Sequence, residues 1–192
     1  MKTEIRDKIL DAGVDIIAKK GFNGIGIQEI LNEVHIPKGS FYHYFKSKED
    51  FGIQVIKKHS EDSLVYINSF LEDTSLSPLQ RIYSLFEDVQ KIYLKKDFKE
   101  GCLLGNCSTE LGGQKTSFSS TLENEFLKME DEFIKCLEEA QTLGELKTDY
   151  STEDLASFIV NGWEGALLRM KASRNLEPMK KFVEFLKNKI LN

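Results

Sequence analysis

The sequence predicts an all-α chain, and three observations carry that reading. Prolines number only three in 192 residues, at Pro37, Pro78 and Pro178, and the rest is rich in Leu, Ile, Lys and Glu, which tolerate helices well. Apolar residues recur at intervals of three and four through most of the chain. The breaks in that pattern fall at Gly, Pro and Ser, where helices stop and start. About nine helices are expected: a three-helix helix-turn-helix domain over residues 1–47, then a larger helical domain over 48–192.

Ile5, Ile9, Ala12, Gly13, Ile16 and Ile17 define helix one, with Thr3 as its expected N-cap and Gly21 as its stop. Ile27, Ile30, Leu31 and Val34 fall at i, i+3, i+4 and i+7, one apolar stripe on a helix of about two turns that must pack on neighbours to persist. "HIPKGS" then forms a turn, because Pro37 cannot continue helix two but suits the start of helix three. Ser47 followed by Asp50 resembles a capping box and opens helix four, expected to reach about residue 73. Ser77-Pro78 opens the fifth. A sixth follows "EGCLLGN", weakened by Gly101, Gly105, Gly112 and Gly113. The seventh runs from about residue 118 to 143 and ends at Gly144, the eighth is capped by Ser151 and reaches about 173, and Pro178 starts the ninth.

The net charge of −5 conceals an asymmetry. Residues 1–60 hold ten Lys or Arg against eight Asp or Glu, a balance of +2; residues 61–192 hold 16 against 23, a balance of −7. An acidic whole does not exclude a nucleic-acid partner, since the field that matters belongs to the docking face. Cys102, Cys107 and Cys136 form no C-x-x-C pair and lie away from every histidine in sequence. Reduced thiols in a cytoplasmic protein are expected. No metal and no cofactor is expected: His35, His43 and His59 are not paired at i, i+4 on one helix, and no nucleophile, base and acid converge. The N-terminal charges are interleaved as in no signal peptide, and no run approaches the roughly 18 apolar residues of a membrane span, so no membrane partner is expected.

Between Phe41 and Phe45, five consecutive residues carry rings, with lysines on both sides. One core-facing side of a short helix cannot bury all five. Phe41 and Phe45, four apart, are expected to anchor the helix, leaving Lys38, Ser40, Tyr42 and His43 facing outward with Tyr44 beside them. Two short helices joined by a tight turn, the second displaying polar and aromatic groups, form a helix-turn-helix whose second helix fits the major groove of double-stranded DNA. Gly39 lets the nucleic acid approach the main chain, and Lys48, in the first turn of helix four, suits a phosphate. The competing reading, rings forming a small core beneath a solvated lysine face, leaves Tyr42 and His43 without purpose. A helical adaptor that binds no DNA fails on the same residues.

The stretch "GFNGIGIQEILNEVHIPKGSFYHYFKSKEDF", and "KGSFYHYFKSKE" within it, closely resembles the DNA-binding segment of the TetR family of bacterial transcriptional regulators. The resemblance implies a homodimer on a near-palindromic operator, released when a small-molecule effector enters the larger, ligand-binding and dimerisation domain, with repression as the habit. It places Lys38, Ser40, Tyr42 and His43 toward bases, and Tyr44 and Lys48 on phosphates. Three departures stand out. Ile25 and Gly26 replace the usual hydroxyl residue at the start of helix two, so the amide of Gly26 or Ile27, with Gln28, must substitute. His35 stands where glycine is usual, and Pro37 replaces an N-cap serine.

Helix eight carries apolar residues on more than one face, and its small residues Gly162, Gly165 and Ala166 admit a close neighbour. The resemblance implies a four-helix interface with a twin subunit; Phe158, Gly162, Ala166 and Met170 of helix eight, with Phe182 and Phe185 of helix nine, are its expected residues. The alternative is that both sides are buried within one subunit. Phe86, Tyr93 and Trp163 are expected to line the effector pocket, with Cys102. "GCLLGN" resembles a segment of a subset of these regulators, some of which sense reactive electrophiles through the cysteine matching Cys102. The plainer reading makes Cys102 and Cys107 small core residues.

Overall fold

The computed structural model describes residues 2–191, with the side chains of Lys2, Thr3 and Lys38 outside the description. Nine α-helices occur among the described residues: α1 Lys2–Lys20, α2 Ile27–Glu33, α3 Lys38–Phe41, α4 Lys48–Leu71, α5 Pro78–Lys95, α6 Leu103–Leu111, α7 Thr116–Thr142, α8 Thr152–Ser173 and α9 Glu177–Phe185, followed by a π-helical turn over Leu186–Ile190. Packing divides the chain into two units, residues 1–62 with 102–125, and residues 63–101 with 126–192. The long helices α4 and α7 each contribute to both.

In the first unit, α1 already includes Thr3, so Thr3 is not its N-cap. Gly21 ends it in the left-handed region at φ 74°. Ile30 and Leu31 of α2, Phe41 and Phe45 around α3, and Phe51 and Val55 of α4 are fully or almost fully buried, with Ile9, Leu10 and Ile17 of α1. Phe51 and Val55 lie where a Cβ on Gly13 would stand, at 2.4 and 2.8 Å, so α4 crosses α1 at its small residue. Ser47 accepts from the Asp50 amide through Oγ (3.1 Å), and Asp50 Oδ2 accepts in return from the amide of Lys46 (2.8 Å), one residue earlier than in a standard capping box.

Helix α6 starts inside the glycine-containing segment rather than after it. Leu103, Leu104, Cys107 and Leu111 are buried on it; burial of that stripe outweighs the roughly 1 kcal/mol that Gly105 costs in a helix.

The second unit is built around rings. Phe86 of α5 lies 4.5 Å from Trp163 of α8, 5.8 Å from Phe182 of α9 and 5.9 Å from Phe133 of α7, centroid to centroid. Beside them Arg81, 4% exposed, donates Nη1 and Nη2 to the two carboxylate oxygens of Glu139 (2.7 and 3.0 Å) and Nη1 and Nε to the carbonyls of Leu71 and Leu76 (3.2 and 3.0 Å). That guanidinium ties the end of α4, the start of α5 and α7 together, and the carboxylate hydrogen bonds hold its pKa above the usual value. Ser151 caps α8 by accepting from the Asp154 amide (3.0 Å). Arg174 ends it in the left-handed region at φ 52°, where a glycine is more usual.

Candidate nucleic-acid interface

The geometry of the interface begins with a chain that turns twice without glycine's help. Val34 ends α2, and His35 adopts φ 55°, the left-handed value expected of the position. Its cost is modest because one residue suffices to reverse the chain. The amides of His35 and Ile36 return to the carbonyls of Asn32 and Leu31. Pro37, extended at φ −60° and ψ 143°, is the N-cap of α3 and supplies no side-chain hydrogen bond. Gly26 is likewise an N-cap without a side-chain hydrogen bond for α2.

Helix α3 is shorter than the ring-bearing segment. Regular helix stops at Phe41, and residues 42–44 continue as a tight turn in which the amides of His43 and Tyr44 reach the carbonyls of Ser40 and Phe41 (3.1 and 3.0 Å). This tightening separates the rings. Phe41 is 0% and Phe45 1% exposed, while Tyr42 is 59% exposed, which leaves a large amphipathic ring in water at the tip of the motif. His43 is exposed beside it, and Tyr44 and Ser40 are half-buried. Phe41, Phe45 and Phe51 meet at 5.0 to 5.6 Å, and Phe41 and Tyr42 form a T-shaped pair at 5.4 Å. Thus the exposed ring rests against a buried one.

A Cβ on Gly26 or Gly39 would meet nothing within 4 Å, so both backbones stand open to an approaching partner. Ile27 is half-buried, and the exposed Gln28 donates Nε2 to Asn32 Oδ1 (2.8 Å). Lys38 opens α3, and its side chain lies outside the described residues. Lys48 is engaged rather than extended: its Nζ lies 4.7 Å from the centroid of the Phe22 ring. Burial pushes its pKa below the usual lysine value, and the Glu110 carboxylate pulls the other way. Among the described residues, no group of three or more His, Cys, Asp or Glu is placed to hold a metal, and no helix is long and apolar enough to cross a membrane.

Phe86 and Trp163 touch each other and fill the core of the second unit, Tyr93 lies half-buried in the same unit, and Cys102 belongs to the first. Cys102 is the half-exposed N-cap of α6, whereas Cys107 and Cys136 are buried and desolvation pushes each thiol up to about 12. The expected dimer residues divide as well. Met170 is 0% and Ala166 7% exposed, and the Phe182 ring packs against Gly162, so that side of α8 is covered within the chain and is not a free interface. The exposed large apolar residues of α8 and α9 are Phe158, Leu168 and Phe185, with Gly165 open between the first two.

Sequence reasoning missed Glu110. From the last turn of α6 its carboxylate accepts the amides of Phe22 (2.8 Å) and Asn23 (2.6 Å) in the loop between α1 and α2. Glu49 is a second such residue, accepting from Ser117 Oγ (2.6 Å) and from Lys115 Nζ; those hydrogen bonds lower its pKa. Neither partner lies within 60 residues of its carboxylate, so no local spacing could have announced them.

Comparison with known proteins agrees with this geometry. Residues 9–53 match the model for bacterial regulatory proteins of the tetR family, and residues 78–186 match the tetracyclin repressor-like C-terminal domain. The HTH-type transcriptional repressor DhaR of Mycobacterium sp. (strain GP1) is 34% identical over 186 residues, 95% of this chain and 90% of that protein. The repressor NemR of Escherichia coli K12 is 26% identical, covering 96% and 93%. Among solved structures, regulatory protein TetR from Rhodobacter sphaeroides superposes with a TM-score of 0.86 at 32% identity, over 93% of this chain and 94% of that one. The reduced form of E. coli NemR gives 0.87 at 26%, over 96% of each. With both halves matched and a relative of this identity along nearly its whole length, the chain belongs to the TetR family of bacterial transcriptional regulators.

Proposed function

We propose that the protein is a ligand-responsive transcriptional repressor that binds a near-palindromic operator as a homodimer in the cytoplasm. The observation that carries this reading is the division of rings in the second element of the helix-turn-helix: Phe41 and Phe45 fully buried, Tyr42 and His43 exposed beside them. A core needs no ring at 59% exposure, but a groove-reading element does. Gly39, Ser40, Tyr42 and His43 face base edges, Gly26, Ile27, Gln28 and Tyr44 the phosphates, and Lys48 reaches a phosphate by leaving the Phe22 ring. Twin subunits meet through Phe158 and Leu168 of α8 and Phe185 of α9. A small-molecule effector shifts the equilibrium only by preferring the conformation that does not fit DNA.

The test is selection of duplexes from a random library, followed by a gel shift with the selected duplex. Two subunits per site, half-sites about 10 base pairs apart and affinity falling steeply with salt are expected. Failure to enrich any sequence would overturn the reading.

A second reading is favoured by one observation, the half-exposed placement of Cys102 at the N-cap of α6 while the other two thiols are buried. There the signal is a reactive electrophile that modifies Cys102, since a helix N-terminus favours the thiolate. Cys102→Ser should then keep operator binding and lose release by a quinone.

A further inference from the structure

The loop "GFNG", residues 21–24, is a concave anion site already occupied from within the chain. Gly21 at φ 74° turns the next two amides to the same side, the arrangement in which successive backbone N–H groups grip an anion. Glu110 fills it: Oε2 accepts from Phe22 N at 2.8 Å and Oε1 from Asn23 N at 2.6 Å. A Cβ on Gly21 would stand 2.8 Å from Glu110 Oε2, so a side chain there would displace the carboxylate as well as strain the dihedral.

Three further contacts converge on the same residue. The Phe22 ring forms a T-shaped pair with Phe118 at the start of α7 (5.3 Å), lies under Lys48 Nζ (4.7 Å), and occupies the position a Cβ on Gly52 of α4 would take (2.4 Å). Three residues after Asn23, α2 begins at the N-cap Gly26, which has no side-chain hydrogen bond. The start of α2 therefore has no side-chain tether of its own, and it directly follows the loop whose amides Glu110 holds. Helix α6, meanwhile, is a rod from Cys102 at its N-cap to Glu110 in its last turn, eight residues or about 12 Å.

We infer that Glu110 is a positioning residue for DNA reading: its carboxylate, held in the Gly21–Asn23 amides, fixes the angle at which α2, and α3 packed on it, are presented. The inference rests on the proposed DNA binding and names the contact through which α6 acts on it. Two charge-assisted hydrogen bonds from a carboxylate to main-chain amides are strong enough to hold a short loop. Moving α6 by the length of one hydrogen bond releases them.

The experiment uses full-length Glu110→Gln, in which the side-chain carbonyl accepts one amide and the NH2 opposes the other. Binding to the duplex selected by the wild-type protein is measured by fluorescence anisotropy, and the amide resonances and hydrogen exchange of Phe22 and Asn23 by NMR. The expected result is an upfield shift and faster exchange at those two amides, unchanged protection at Leu31 and Phe51, and affinity lower by about tenfold. Gly21→Ala should lower affinity similarly, and the double variant should be no weaker than the worse single one. Wild-type affinity in a folded Glu110→Gln, exchange that rises equally at Leu31 and Phe51, or a variant that does not fold would each overturn the inference, the last two by making Glu110 a folding residue. If the wild-type protein selects no duplex, the DNA-binding reading fails, and unchanged Phe22 and Asn23 amides in the variant would dismiss the carboxylate grip separately.

Discussion

The two ring clusters of this protein differ in how they are assembled. Around α3, Phe41, Phe45 and Phe51 come from eleven consecutive residues, and the exposed Tyr42 and His43 are interleaved with them. In the second unit, Phe86, Phe133, Trp163 and Phe182 come from four helices spread over nearly a hundred residues, and all four turn inward or against one another. The first cluster is a small anchor that holds a surface in place. The second fills the middle of its unit. A ring that is one of three local anchors and a ring that is the hub of a core are therefore expected to fail in different ways when removed.

The largest effect separates them on stability. Phe86→Ala should cost about 4 kcal/mol in a urea melt followed by circular dichroism, since the ring touches three others and the cavity cannot collapse on four rigid helices. A loss under about 1 kcal/mol would show that the hub is replaceable.

Next comes the ion pair beside the hub. Glu139→Ala strands the Arg81 guanidinium, 4% exposed, with only the Leu71 and Leu76 carbonyls. About 3 kcal/mol should be lost, against much less for the paired replacement Arg81→Met with Glu139→Leu. The same melts decide it.

On the reading surface the order reverses. Tyr42→Ala and His43→Ala should each cost about 1 to 3 kcal/mol of operator affinity and leave the melting temperature nearly unchanged, because neither side chain is buried. A fall in melting temperature without a fall in affinity would make Tyr42 part of the anchor instead.

The α8 glycines give a smaller and paired effect. Gly162→Ala places a methyl 2.5 Å from the Phe182 ring and should destabilise by about 1 to 3 kcal/mol, while Gly165→Ala meets nothing within 4 Å and should stabilise the subunit by about 0.5 to 1 kcal/mol. If analytical ultracentrifugation shows Gly165→Ala weakening self-association, the open face is the twin interface.

The last contrast is chemical and bears on neither stability nor affinity. Burial raises the Cys107 and Cys136 thiols from 9.0 to about 12, so at pH 8 they remain protonated and should react with N-ethylmaleimide about a hundredfold more slowly than Cys102. Mass spectrometry should find one adduct on the folded chain and three after denaturation. A first adduct on Cys107 would reverse the assignment.

The helices and the reading element were legible in the sequence, because both are written in short-range patterns. Apolar spacing places nine helices, Gly21, Gly144 and Ser151 mark their ends, and the five-ring run divides into two buried and two exposed positions by a four-residue period. The bend at His35 and the uncapped starts at Gly26 and Pro37 follow from single residues. Tertiary structure decided what depends on two distant segments meeting. Helix α6 forms through its glycine because Leu103, Leu104, Cys107 and Leu111 are buried. Of the α8 residues expected to meet a neighbour, Gly162, Ala166 and Met170 are covered within the chain, while Phe158 and Gly165 are open beside Leu168. Which of two apolar faces is covered depends on the neighbour, which a helix's own period cannot name. The same reason hid Glu110: a carboxylate near a helix end is ordinary until the fold carries it to two amides 87 and 88 residues away.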